Sequence, residues 1–99
     1  METKVITYAP FNPSIAPDYS KMPLSQLAGE ISKDWRKQGK GVSVYAKPYL
    51  DAMFCLDKVT DTYIAESGRS IVAYFLGNAN TWKGEVAKAI KKELNKRIK

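Results

Sequence analysis

Proline does most to limit how this chain can fold. Four of its five prolines, Pro10, Pro13, Pro17 and Pro23, fall within the first 23 residues. Each removes a backbone donor and restricts the residue before it, so a helix of ordinary length does not fit there. The remaining one, Pro48, suits the first turn of a helix, where its missing N–H is no loss. The 99 residues therefore divide into an extended proline-rich N-terminal arm, 1–23, and a body, 24–99, that is free to be helical. Within the arm, Lys4-Val5-Ile6-Thr7-Tyr8 has the composition of a short strand. Phe11, Ile15 and Tyr19, spaced at four, suit anchors that lay the arm across the body.

A chain of 99 residues is the size of a single domain and buries roughly two thirds of its unfolded surface on folding. With 44% hydrophobic residues it can build one modest core, and a 26% charged fraction argues against wholesale disorder. One cysteine and no histidine exclude a disulfide framework and a thiolate-rich zinc site. Cys55, within Met53-Phe54-Cys55-Leu56, reads as a small buried hydrophobe. The longest apolar run, Ile71 to Gly77, is about a third of the roughly 20 residues that span a bilayer. No secretory leader is recognisable, so the expectation is a cytosolic protein without a membrane partner.

Hydrophobic spacing predicts four helices. In the first, Leu24 to Gln38, Leu24, Leu27, Ala28, Ile31 and Trp35 form one stripe, and Gly39 and Gly41 supply the stop. Val42-Ser43-Val44-Tyr45 is a short strand or a connector. A second helix, Pro48 to Val59, places Tyr49, Ala52, Met53, Leu56 and Val59 on one face, with Leu50 and Phe54 on the flank. Thr60 to Gly68 is polar and turn-like, after which Ser70 can cap a third helix running to Asn78. The unbroken run Ile71 to Leu76 lacks periodicity and also suits a strand. The alternative is therefore an α+β fold with a small sheet pairing residues 71–75 with 42–45 and 4–8.

The last helix, capped by Thr81 and running from Trp82 to Lys99, turns Trp82, Val86, Ala89, Ile90, Leu94 and Ile98 inward. Lys88, Lys91, Lys92, Lys96 and Lys99 share the other face, with Arg97 beside them. Residues 83–99 hold seven of the sixteen basic side chains against two acids, which leaves the first 82 residues at +1 of a total of +6. Charge this localised marks where an anionic partner would sit. Five ammonium groups along about three turns suit nucleic-acid phosphates. Lysine gives point-charge contacts rather than the bidentate base reading typical of arginine. A solvated face is the ordinary explanation of the same pattern.

Other constellations are weaker. Residues 69–86 partly match a helix-turn-helix through Ala73 and Gly77, but Asn78 and Lys83 occupy slots that should be apolar, and a helical hairpin explains them equally well. Ser67-Gly68-Arg69-Ser70 places Arg69 and Ser70 at a helix start, where backbone N–H groups can hold an anion. Helix capping by Ser70 is the commoner use of such a corner. Trp35 and Trp82 fall at core positions. Tyr45, Tyr49 and Phe54 cluster near one helix start and suit base stacking or a protein contact, although a tyrosine at the core margin with its hydroxyl in water is the commoner arrangement. The carboxylates Asp51, Asp57, Asp61 and Glu66 are scattered, and no histidine base is available, so the expectation is a protein that is not an enzyme and uses no metal or cofactor.

Tyr45-Ala46-Lys47-Pro48-Tyr49-Leu50-Asp51-Ala52-Met53 and Tyr74-Phe75-Leu76-Gly77-Asn78-Ala79-Asn80-Thr81-Trp82-Lys83-Gly84-Glu85 resemble blocks in short uncharacterised proteins of gut-bacterial phages and mobile elements. The resemblance covers about half the chain. It implies action in the cytoplasm of a bacterial host, where small accessory proteins manage replication or neutralise host factors. It supplies no activity and no catalytic residues. The combined expectation is a mainly α protein that binds an anionic partner, foremost nucleic acid, through its basic last helix. The alternative partner is an acidic surface on a host protein, bound as an inhibitor or adaptor.

Overall fold

The computed structural model describes residues 17–99. The strand expected at 4–8 and the anchors Phe11 and Ile15 lie outside them. A 3₁₀ turn, Tyr19–Lys21, leads into helices α1 (Leu24–Lys37) and α2 (Lys47–Met53). Two short strands follow, β1 (Thr62–Tyr63) and β2 (Glu66–Ser67), then helices α3 (Gly68–Gly77) and α4 (Glu85–Arg97). The protein is mainly α. Its small antiparallel sheet pairs Thr62 with Ser67 and Tyr63 with Glu66, whereas residues 71–75 lie within α3 and residues 42–45 form a connector.

The helices pack as a ring: α1 and α3 each lie against both α2 and α4. At the centre Trp35 and Trp82 stack with ring centroids 5.8 Å apart and planes 18° from parallel. Phe75 meets both edge-on at 6.3 Å. Such pairings add about 0.5–1.5 kcal/mol each beyond the area they bury. Leu24, Leu27, Ala28, Ile31 and Trp35 are all buried, as the α1 stripe requires.

The start of α1 meets the chain just beyond the end of α2. Pro23 stands at the N-cap without a side-chain hydrogen bond, so the first amides of α1 need other acceptors. Leu24 N–H donates to the Asp57 carbonyl at 2.9 Å and Ser25 N–H to the Leu56 carbonyl at 2.8 Å. The chain turns back there because the amides of Asp57 and Lys58, which a helix to Val59 would spend on its own carbonyls, are taken by a side chain instead. Asp61 holds the reversal by accepting from Asp57 N–H at 3.1 Å and Lys58 N–H at 2.9 Å. The predicted helix to Val59 accordingly stops at Met53. Its last turn tightens, with Cys55 N–H donating to the Ala52 carbonyl, which rotates Cys55 outward. Cys55 is exposed, contrary to the buried position read from its neighbours. Of the flanking pair, Leu50 is buried and Phe54 is 46% exposed.

The third helix also starts elsewhere than expected. Ser67, rather than Ser70, is its cap, its hydroxyl accepting from Ser70 N–H at 3.1 Å. Gly68 opens the helix because no side chain fits there: a Cβ would stand 2.8 Å from the Lys58 carbonyl oxygen and 2.9 Å from Val59 Cα. Gly84, at φ 109°, sets the start of α4 three residues later than the sequence suggests. Of the inward face expected from the sequence, Trp82, Ile90 and Leu94 are buried and Val86 and Ile98 half-buried, whereas Ala89 is exposed and Ala87 is buried.

Candidate nucleic-acid interface

The six cations at the end of the chain do not share one fate. Lys88, Lys92, Lys96 and Lys99 are exposed. Lys88, Lys92 and Lys96, spaced at four, form one stripe on α4 with successive members about 6 Å apart along the axis, and Lys99 follows just past the helix end. Lys88 lies 4.0 Å from Glu85, both side chains being largely in solvent, and an exposed pair of this kind holds a lysine only weakly. Lys92, Lys96 and Lys99 have no carboxylate within 4.0 Å among the described residues. The field of Lys96 reaches Asp18, whose carboxyl is held below its ordinary value of 3.8 chiefly by the Ser20 hydroxyl, with Lys21 and Lys96 contributing less.

Lys91 does not belong to that stripe. Its ammonium turns back under the α3–α4 connector, donating to the Ala79 carbonyl at 2.8 Å and the Trp82 carbonyl at 2.7 Å. It also sits 5.8 Å from the Trp82 ring centroid, within the range of a cation–π contact. Partial burial, and then the charge of Lys83, push its pKa below the ordinary 10.5. Asp34 completes the fastening by accepting from Trp82 Nε1–H at 2.9 Å. Arg97 is likewise spent inside the fold. Its guanidinium pairs with Glu93 at 2.7 Å, both side chains being mostly buried, and donates to the carbonyls of Tyr19 at 2.9 Å and Ser20 at 3.2 Å.

The expected anion corner at Arg69 and Ser70 is also corrected. Every N–H at that helix start already has an acceptor. Gly68 donates to the Asp61 carbonyl at 2.7 Å, Arg69 to the Val59 carbonyl at 2.9 Å, and Ser70 to the Ser67 hydroxyl. The Arg69 guanidinium donates to the carbonyls of Ile98 and Lys99, closing the negative end of α4. Residues 78–84 separate α3 from α4, longer than the three- or four-residue turn of a helix-turn-helix. Ala73 and Gly77 are exposed rather than at a helix crossing.

Two grooves escaped the sequence reading. One, of about 320 Å³ between α1 and α2, is lined by Arg36, Lys40, Lys47, Asp51 and Phe54 over Leu50 and Val42. Its signal was present as the run Arg36-Lys37-Gln38-Gly39-Lys40, taken only as a helix stop. The other, of about 510 Å³, is lined by Pro48, Tyr49, Tyr63, Tyr74, Ile71 and Glu66, with Tyr49 and Tyr74 rings 5.4 Å apart. Tyr45, placed with these aromatics by the sequence, is 74% exposed. Asp51 is engaged by Lys47 at 3.0 Å and Asp61 by backbone amides. No group of three metal-ligating side chains occurs among the described residues, and no helix there is long and apolar enough to cross a membrane.

Comparison with family models, with curated proteins and with solved structures gave no match. The geometry of the chain itself therefore carries the functional argument.

Proposed function

We propose that this chain is a non-enzymatic binding protein for nucleic-acid phosphates, acting through the exposed Lys88, Lys92, Lys96 and Lys99. The observation that carries the reading is the separation of cations on α4. Lys91 and Arg97 are committed to the fold, and the other four are exposed, three of them in one stripe on α4, with no buried acid paired to them among the described residues. Ammonium groups at this spacing neutralise phosphates without reading bases, so binding is tolerant of sequence and weakened by salt. A cytoplasmic accessory role in a phage or mobile element gives such binding a setting.

The test is duplex binding by fluorescence anisotropy with Lys88, Lys92 and Lys96 all changed to Gln. Loss of binding with an unchanged thermal melt is expected. Wild-type affinity in that variant would refute the reading. A host-protein ligand is favoured by one observation, the apolar tyrosine groove, although its single charged group, Glu66, suits an apolar or basic segment of that protein rather than an acidic surface. Capture of one stoichiometric protein partner after nuclease treatment, lost on Tyr74→Ala, would support that alternative.

A further inference from the structure

We infer that the groove between α1 and α2 is a second site, distinct from the α4 stripe, that takes one nucleotide of a single-stranded nucleic acid. The phosphate lies against Arg36 and Lys40, and the base stacks on the exposed ring of Phe54. At about 320 Å³ the groove falls within the size range of ligand-binding clefts. Three cations against the one carboxylate of Asp51 give its lining a net charge of +2. Lys47 is held by Asp51 at 3.0 Å. Arg36 and Lys40 have no acidic partner within 4.0 Å among the described residues. A guanidinium left free beside a cleft offers the planar fork that grips phosphate with two hydrogen bonds.

The apolar half of the groove is what points to a nucleotide rather than to a bare anion. Phe54 leaves 46% of its surface in water at the lip, while buried Leu50 and half-buried Val42 form the floor. An aromatic face next to phosphate-binding cations is the arrangement by which proteins hold single strands. Gly41, whose missing side chain borders open space, leaves the entrance clear. A base paired inside a duplex cannot enter such a cleft, which selects an unpaired strand. The tyrosine groove is unsuitable for the same ligand, because no cation lines it and the Glu66 carboxylate would repel phosphate. The groove is built from α1, α2 and the segment between them, whereas the lysine stripe stands on α4, so the two surfaces share no residue.

The test measures anisotropy of a labelled thymidine 15-mer and of a labelled duplex against the full chain. Phe54→Leu keeps the apolar cover and removes the π face. It is expected to weaken single-strand binding about fivefold or more, as loss of one stacked base does, with duplex affinity unchanged. Arg36→Gln, at an exposed position, should act in the same direction, and Phe54→Trp should restore binding. The triple lysine variant of α4 should show the reverse selectivity. Thymidine monophosphate should displace the 15-mer at concentrations where inorganic phosphate does not. Wild-type single-strand affinity in both Phe54→Leu and Arg36→Gln would overturn the inference, as would equal competition by inorganic phosphate. Loss of duplex binding in the α4 variant tests the first site separately, so either proposal can fail alone.

Discussion

Lys91 and Lys92 are neighbours in sequence with opposite roles. Lys91 supplies the donors that two connector carbonyls need, and removing it strands those acceptors beside the Trp82 ring. Hydrogen bonds to charged groups are worth about 1.5–3 kcal/mol, so Lys91→Met is expected to lower unfolding stability by roughly that much. Lys92→Met should change it by no more than about 0.5 kcal/mol. Urea denaturation of both variants checks the contrast. Cys55 offers a second residue-level check: because it is exposed, it should react stoichiometrically with a disulfide reagent in the native protein. Protection until unfolding would contradict the turn that follows α2.

Asp61 gives the pH dependence. Hydrogen bonds from the backbone of Lys58 and then Asp57 hold its carboxyl below the ordinary 3.8. A carboxyl depressed in the folded state contributes stability above its unfolded value and loses it as pH falls through the folded one. The stability difference between wild type and Asp61→Asn should therefore be present at neutral pH and shrink below about pH 3.8. An unchanged difference at lower pH would place the cause elsewhere than in charge.

At the scale of elements, the fold depends on ends meeting ends. The start of α1 takes carbonyls from just beyond the end of α2, and Gly68 lets the start of α3 come within contact of Lys58 and Val59. Gly68→Ala forces backbone apart there, with an expected loss of about 1–3 kcal/mol; calorimetry measures it directly. These tertiary junctions also explain what was legible in the sequence. The α1 stripe was clear because five apolar residues repeat at 3.6-residue spacing and all of them are buried. The length of α2 was not, because the amides of Asp57 and Lys58, which a helix to Val59 needs, are taken by the side chain of Asp61 in the following loop. The inward face of α4 was legible except at Ala89, but its start was not, because Trp82, although a core residue, precedes the helix rather than beginning it. In the candidate site, the basic character of the helix was visible. The diversion of Lys91 and Arg97 was not, since their acceptors are carbonyls at Ala79, Trp82, Tyr19 and Ser20, which side-chain chemistry does not advertise.

At the scale of the whole molecule, cations serve two purposes. Arg69, Lys91 and Arg97 fasten chain segments together through backbone carbonyls, and so they are poor targets for a binding partner. The exposed lysines near the end of the chain and the cations of the α1–α2 groove are left to meet phosphate from different elements. Four exposed lysines, rather than six basic residues, set the expected strength of the electrostatic attraction. The measurement that tests this most directly is duplex affinity over a series of salt concentrations. Each phosphate neutralised contributes about −0.9 to the log–log slope, so four contacts give about −3.6. Changing Lys92 and Lys96 to Gln should bring the slope to about −1.8. A slope that stays at the wild-type value in that variant, or no duplex binding even at low salt, would contradict a phosphate-binding role for α4.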